Sequence, residues 1–163
     1  MTKTYNVLFL CTGNSARSIL AEAILNAISG ERFHAFSAGS QPKGEVHPLA
    51  LDHLRKAGLP VEGYRSKSWN EFAGPEAPHL DFIFTVCDNA ASEVCPVWPG
   101  HPMTAHWGVP DPAAAEGTLE DRQKAFQRAF QQLQNRIRLF MALPVESLDQ
   151  MRLHQELQGI GET

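Results

Sequence analysis

Short apolar runs alternating with helically spaced apolar residues predict an α/β fold: a single doubly wound domain with a mainly parallel sheet flanked by helices. Three observations carry this. Val7-Leu8-Phe9-Leu10 and Phe82-Ile83-Phe84-Thr85-Val86 are strand-length and apolar almost throughout, as strands covered on both faces are. Ile19, Leu20, Ala23, Ile24, Ala27 and Ile28 recur at helical spacing and stop at Gly30. Phe126, Ala129, Phe130, Leu133, Ile137 and Phe140 repeat that spacing near the end of the chain.

The remaining elements follow in order. Phe33 to Ser37 reads as a second strand, ended by Ala38-Gly39. Pro48 opens a helix carrying Leu49, Leu51, Leu54 and Ala57, and Gly58 closes it. Trp69 to Phe72 is expected to form a short helix, and Met103 to Trp107 a last short strand. Thr118 caps the long helix, which ends near Pro144. The domain is expected to span residues 1–144. The tail, 145–163, has Leu148, Met151, Leu153, Leu157 and Ile160 in a loosely amphipathic helical pattern, suited to docking on the core or to a partner surface.

At 163 residues the chain can bury a core without metal or disulfide staples. The net charge of −4 gives no electrostatic argument for nucleic acid or a membrane surface. No apolar run has the length of a membrane span, and Met1 to Asn6 is not a secretory leader, so a cytoplasmic protein is expected. In a reducing compartment three cysteines make a poor structural framework, and catalytic or redox use becomes the alternative to simple burial.

The strongest local signal is Cys11-Thr12-Gly13-Asn14-Ser15-Ala16-Arg17-Ser18. A cysteine ends a buried strand, a tight polar loop follows, and an arginine opens a helix. Thr12, Gly13, Asn14, Ser15 and Ala16 can turn successive N–H groups toward one point, with the positive helix end behind them. The Arg17 guanidinium adds a planar fork for two oxygens of a tetrahedral anion. That field is expected to depress the Cys11 pKa and make the thiol nucleophilic, with Ser18 as a further donor to the sulfur. Far downstream, Asp111-Pro112 offers a carboxylic acid between two prolines, suited to protonating a leaving oxygen.

Cys87 and Cys95 have seven residues between them, against about two to four in compact zinc hooks. No metal site is therefore expected. The remaining histidines show no ligand spacing.

Cys11 to Ser18 together with Asp111-Pro112 resembles the low-molecular-weight protein tyrosine phosphatase superfamily. Two departures separate the chain from its phosphatases: Ala16 stands where a second cysteine is common, and Ala113, Ala114 and Ala115 follow the Asp-Pro pair in place of a substrate-stacking aromatic residue. The thiol-dependent arsenate reductases of the superfamily are more similar. Phe84-Thr85-Val86-Cys87, Cys95-Pro96, His106-Trp107-Gly108 and Asp111-Pro112 match their motifs in order, from about Tyr5 to Leu143. The resemblance implies that Cys11 attacks arsenate with Asp111 as acid. Cys87 then takes Cys11 into a disulfide and releases arsenite, and Cys95 resolves that disulfide into Cys87–Cys95. It implies no tightly bound cofactor but an external thiol reductant, with thioredoxin favoured over glutaredoxin and glutathione. Some members bind potassium near the loop. Asn14, Glu22 and Ser37 match three of those ligands, but Lys67 replaces the aspartate, so no potassium requirement is expected. The other readings are a phosphomonoesterase using Cys11, Arg17 and Asp111, and a non-enzymatic oxyanion-binding or redox-sensing module.

Overall fold

Residues 3–87 and 101–163 are described by the structure, a computed structural model. The elements in chain order are β1 (Tyr5–Leu10), α1 (Arg17–Ile28), β2 (Phe33–Ala38), α2 (Pro48–Lys56), a 3-10 turn (Trp69–Phe72), β3 (Phe82–Thr85), β4 (Met103–His106) and a second 3-10 turn (Pro112–Ala114). Two further helices, α3 (Leu119–Met141) and α4 (Gln150–Gly161), complete the chain. The four strands pair in the order β2-β1-β3-β4, and every pairing is parallel. The single doubly wound α/β sheet read from the sequence is therefore the observed fold.

From Val7 to Leu10, β1 is apolar throughout because it lies inside the sheet and is covered on both sides. Side chains alternate across a strand, so Val7 and Phe9 enter the larger core with Leu20, Ile24, Phe84 and Phe140. Leu8 and Leu10 enter the opposite layer with Trp69, Phe72 and Ile83. All four β1 residues are essentially fully buried. α3 begins with a capping box: the Thr118 hydroxyl accepts from the Asp121 N–H and the Asp121 carboxylate accepts from the Thr118 N–H. Its Phe140 ring meets Phe33 on β2, Phe82 and Phe84 on β3, and Trp107 just beyond β4, closing the core over the sheet.

The strand order also positions the site. From β1 the chain crosses to β2 on one side, then returns past β1 to place β3 on the other. The crevice beyond the carboxyl ends of β1 and β3 is the switch point at which such sheets bind ligands. Cys11 follows β1 and Cys87 lies just beyond β3, so topology brings together two thiols that are 76 positions apart.

The long helix ends at Met141, three residues before Pro144, and the strand predicted over Phe82–Val86 stops at Thr85. Within α1, Ala27 is exposed although it shares the apolar spacing. The tail forms α4, whose Leu153, Leu157 and Ile160 are buried, and it packs against β4. No helix among the described residues is long and apolar enough to cross a membrane.

Candidate active site

β1 delivers Cys11 to the floor of a cavity of about 340 Å³ lined by Thr12, Gly13, Ser15, Ala16, Arg17, Gln41, Lys43 and Asp111. Parts of the loop are fixed by neighbours rather than by its own backbone. Asn14 is fully buried in a left-handed conformation (φ 43°), and its Oδ1 accepts from the Lys67 N–H at 2.8 Å. Its Nδ2 donates to the Ser18 hydroxyl at 2.8 Å. Carbonyl groups of the loop are taken from outside: Thr12 O by the Gln41 N–H, Gly13 O by the Lys43 N–H and the Ser66 hydroxyl, and Ser15 O by the His47 N–H. Those contacts hold the carbonyls outward, an arrangement suited to turning the amides beyond Gly13 toward the cavity.

Helix α1 reinforces this. Its N-cap residue is Ala16, which has no side-chain oxygen, so no side chain caps the first turn. The orphan N–H groups of a helix start suit an anion in place of a capping side chain.

Gly39 fits the loop at its closest approach to another strand. A Cβ there would lie 2.4 Å from Thr12 O, 2.7 Å from Cys11 O and 3.0 Å from the Asn14 N–H nitrogen. Only glycine lets the end of β2 pass this close.

Arg17 reaches back across the cavity. Its Nη1 donates to Val109 O at 2.8 Å, and its Nη2 lies 3.8 Å from Asp111 Oδ2. Its Nε is buried with no partner among the described residues, a donor still available to an anion. Asp111 caps the second 3-10 turn, with Oδ1 accepting from the Ala113 N–H at 2.9 Å. Its side chain is 42% exposed, at the mouth of the cavity and facing the guanidinium.

Cys11 and Cys87 are both buried, 4% and 2% exposed. Leu10 pairs with Thr85, and the Val86 N–H donates to Leu10 O at 2.8 Å, so the β1–β3 ladder continues one step beyond the strands. Cys11 then stands one residue out of register with Cys87. A strand spacing of about 4.8 Å and a rise of about 3.3 Å put their Cα atoms about 6 Å apart. A disulfide spans roughly 4.4–6.8 Å. The Thr12 N–H donates to Cys87 Sγ at 3.2 Å, which fixes that sulfur beside the first loop peptide.

The electrostatics correct one sequence expectation. The Cys87 thiol and burial push the Cys11 pKa up, while Arg17 and the Gly13 N–H work in the opposite direction and do not prevail in this arrangement. Two adjacent buried thiols oppose a second negative charge between them, so they titrate as a pair. The Ser18 hydroxyl accepts from Asn14 Nδ2, holding the loop from within.

Beneath the loop, Ser37 Oγ donates to Glu22 Oε1 at 2.6 Å, and the Lys67 ammonium, nearly buried, donates to Arg65 O at 3.1 Å. Burial pushes Glu22 up and Lys67 down, and each charge partly counters the other's shift. A monovalent cation fits this arrangement poorly, because the Lys67 ammonium already places a positive charge near Glu22.

Cys11, Thr12, Gly13, Asn14, Ser15, Ala16, Arg17, Ser18, Cys87 and Asp111 thus lie in or directly against one site. Cys95 lies outside the described residues. Gly39, Gln41 and Lys43 were not read from the sequence as site residues. A glycine directly after a strand that neighbours β1 was the available signal for Gly39; Gln41 and Lys43 had none, because they arrive on an irregular loop.

A parallel sheet with a cysteine–arginine oxyanion loop at its switch point defines a phosphatase-type α/β protein. The chain belongs to the low molecular weight phosphotyrosine protein phosphatase family, whose profile matches residues 6–155. Within that family it is similar to an arsenate reductase of Bacillus licheniformis, with 37% identity over 135 residues, covering 82% of this chain and 93% of that protein. It is also similar to the crystal structure of an arsenate reductase from Archaeoglobus fulgidus, with a TM-score of 0.66, 26% identity, and coverage of 84% of this chain and 99% of that one. A thioredoxin-dependent arsenate reductase of Corynebacterium glutamicum superposes with a TM-score of 0.56 at 26% identity, covering 83% of this chain and 63% of that one.

Proposed function

We propose that this protein reduces arsenate to arsenite, with Cys11 and Cys87 as the dithiol that supplies the electrons. The observation that carries the proposal is the placement of Cys87 Sγ on the Thr12 N–H, beside Cys11 at the first peptide of the oxyanion loop. A phosphomonoesterase needs one thiol there; a second within disulfide range serves a reaction that consumes both.

Arsenate enters with its oxygens toward the loop N–H groups and the Arg17 fork. Cys11 passes its proton to an arsenate oxygen as its sulfur bonds to arsenic(V), while Asp111 protonates the departing hydroxide, which leaves as water. Cys87 sulfur, as thiolate, next attacks Cys11 sulfur. The S–S bond forms, the S–As bond breaks, and its electron pair leaves with arsenic as arsenite. Arsenic gains two electrons, and the two thiols lose two as the disulfide forms. Cys95 in turn attacks Cys87, returns Cys11 as a thiolate, and leaves a Cys87–Cys95 disulfide for an external reductant.

Thioredoxin is the proposed reductant, supported by the thioredoxin-dependent C. glutamicum relative. A glutathione–glutaredoxin system would instead take over at Cys87. The reaction needs neither a bound cofactor nor potassium, because Lys67 supplies the cation beneath the loop.

Thiol counting tests the proposal. Reduced protein mixed with one equivalent of arsenate and no reductant is expected to lose two thiols and form one arsenite per chain. Unchanged thiols and no arsenite would leave a phosphatase or an oxyanion-binding module.

A further inference from the structure

Behind the acid-bearing segment sits a buried cation with no part in the chemistry above. Arg136, on α3, is 4% exposed, and its guanidinium bonds main-chain oxygens. Its Nη1 donates to Gly108 O at 2.9 Å and its Nη2 to Thr163 O at 3.1 Å, while its Nε is buried without a partner among the described residues. Burying a guanidinium is costly, and removing either main-chain oxygen leaves a charged donor unsatisfied. The arrangement therefore ties Gly108 firmly to Thr163, beyond α4.

Helix α4 grips the same segment from a second direction. Trp107 Nε1–H donates to Leu157 O at 2.9 Å, and the Trp107 ring stacks on Phe84 with centroids 3.8 Å apart. Gly161 packs so closely that a Cβ would lie 2.2 Å from His106 O and 2.9 Å from Trp107 Cδ1. Two residues beyond Trp107, Val109 O is the acceptor that holds Arg17, and Asp111 follows at once. The Val109 N–H is bonded to Val86 O at 3.1 Å, next to Cys87. The family profile ends at residue 155, inside α4, so the last turns of this helix and Thr163 lie beyond the matched region.

We propose that Arg136 is a positioning residue for the reaction, acting with the end of α4 to clamp Gly108–Asp111 so that the acid and the Arg17-holding carbonyl stand at the cavity mouth. The proposal rests on the reading of Asp111 as the acid. Arg136 itself touches neither substrate nor a reacting atom.

The test is a double-mutant cycle on single-turnover arsenite formation, with folding checked by Tm and all rates taken well below the lowest Tm. Arg136→Met and Gly161→Ala are each expected to slow turnover roughly tenfold to a hundredfold, as sub-ångström to ångström displacement of a catalytic group does. Arg136→Lys, whose ammonium reaches one of the two main-chain oxygens, is expected to recover part of the loss. In an Asp111→Asn background, followed for hours to keep the slow rate readable, Arg136→Met and Gly161→Ala are expected to cost less than about threefold. Equal fold-losses in the two backgrounds would overturn the proposal, as would an unchanged rate in folded Arg136→Met protein. Should Arg136→Met not fold, Gly161→Ala and Arg136→Lys decide the same cycle. Absence of arsenite from the unaltered protein would sink the reductase reading alone, and the cycle would then be read on aryl-phosphate hydrolysis, which draws on the same acid.

Discussion

Replacing Gly39 with alanine tests whether the oxyanion loop works through its backbone position. The added methyl would sit 2.4 Å from Thr12 O and 2.7 Å from Cys11 O, and both neighbours are main chain that cannot swing aside. Reaching the roughly 3.0 Å below which such contacts essentially never occur requires about 0.6 Å of retreat by Thr12. Packed interiors transmit a shift of that size instead of absorbing it. Overpacking of this kind costs about 1–3 kcal/mol. At this chain length each kcal/mol lowers Tm by about 2–4 °C. The same displacement moves the Thr12 N–H that holds Cys87 and the loop that receives the anion. If a 1 Å error costs about a hundredfold, 0.6 Å costs roughly tenfold to twentyfold in kcat/KM. The assay is steady-state arsenite formation with saturating reductant, alongside thermal unfolding. Gly74→Ala is the control, since a Cβ there meets nothing within 4 Å and the residue lacks a left-handed φ. Gly39→Ala protein with kcat/KM within twofold of the Gly74→Ala control would refute the backbone argument.

Three further outcomes are expected. Cys87→Ala removes the largest influence raising the Cys11 pKa, so the midpoint of Cys11 alkylation against pH should fall; an unchanged or higher midpoint would show that Cys87 does not hold the proton on Cys11. Asp111→Asn should lower the arsenite-forming rate by about 10²–10⁴-fold with arsenate affinity little changed, and a loss confined to affinity would contradict an acid role. Lys43, whose stem lies over Gly13 at the cavity mouth, should affect capture: Lys43→Ala should raise KM for arsenate several-fold at low salt, and the difference should shrink as salt screens the exposed charge. A loss in kcat that ignores ionic strength would rule that role out.

The sheet was legible because β1 and β3 are buried on both faces, which leaves almost uninterrupted apolar runs in the sequence. Much of the site was legible for a related reason: a cysteine after such a strand, a short polar loop and an arginine at a helix start all lie within eight consecutive residues. What stayed hidden depends on contacts between distant segments. Gly39 matters because β2 passes against the loop, and Arg136 because α3, the acid segment and the chain beyond α4 converge on it. The Cys11 pKa was misjudged for the same reason. The loop and Arg17 are local, whereas the opposing influence, Cys87, arrives through the β1–β3 pairing.

The central claim, that Cys11 and Cys87 are one redox couple, is tested most directly by stopping the relay at its first disulfide. Cys95→Ser protein, fully reduced and given one equivalent of arsenate, should release one arsenite per chain. Peptide mapping after alkylation should then find Cys11 joined to Cys87 and no free thiol at either position. Arsenite formed while both remain open to alkylation, or a disulfide joining Cys11 to a second chain instead, would contradict the account.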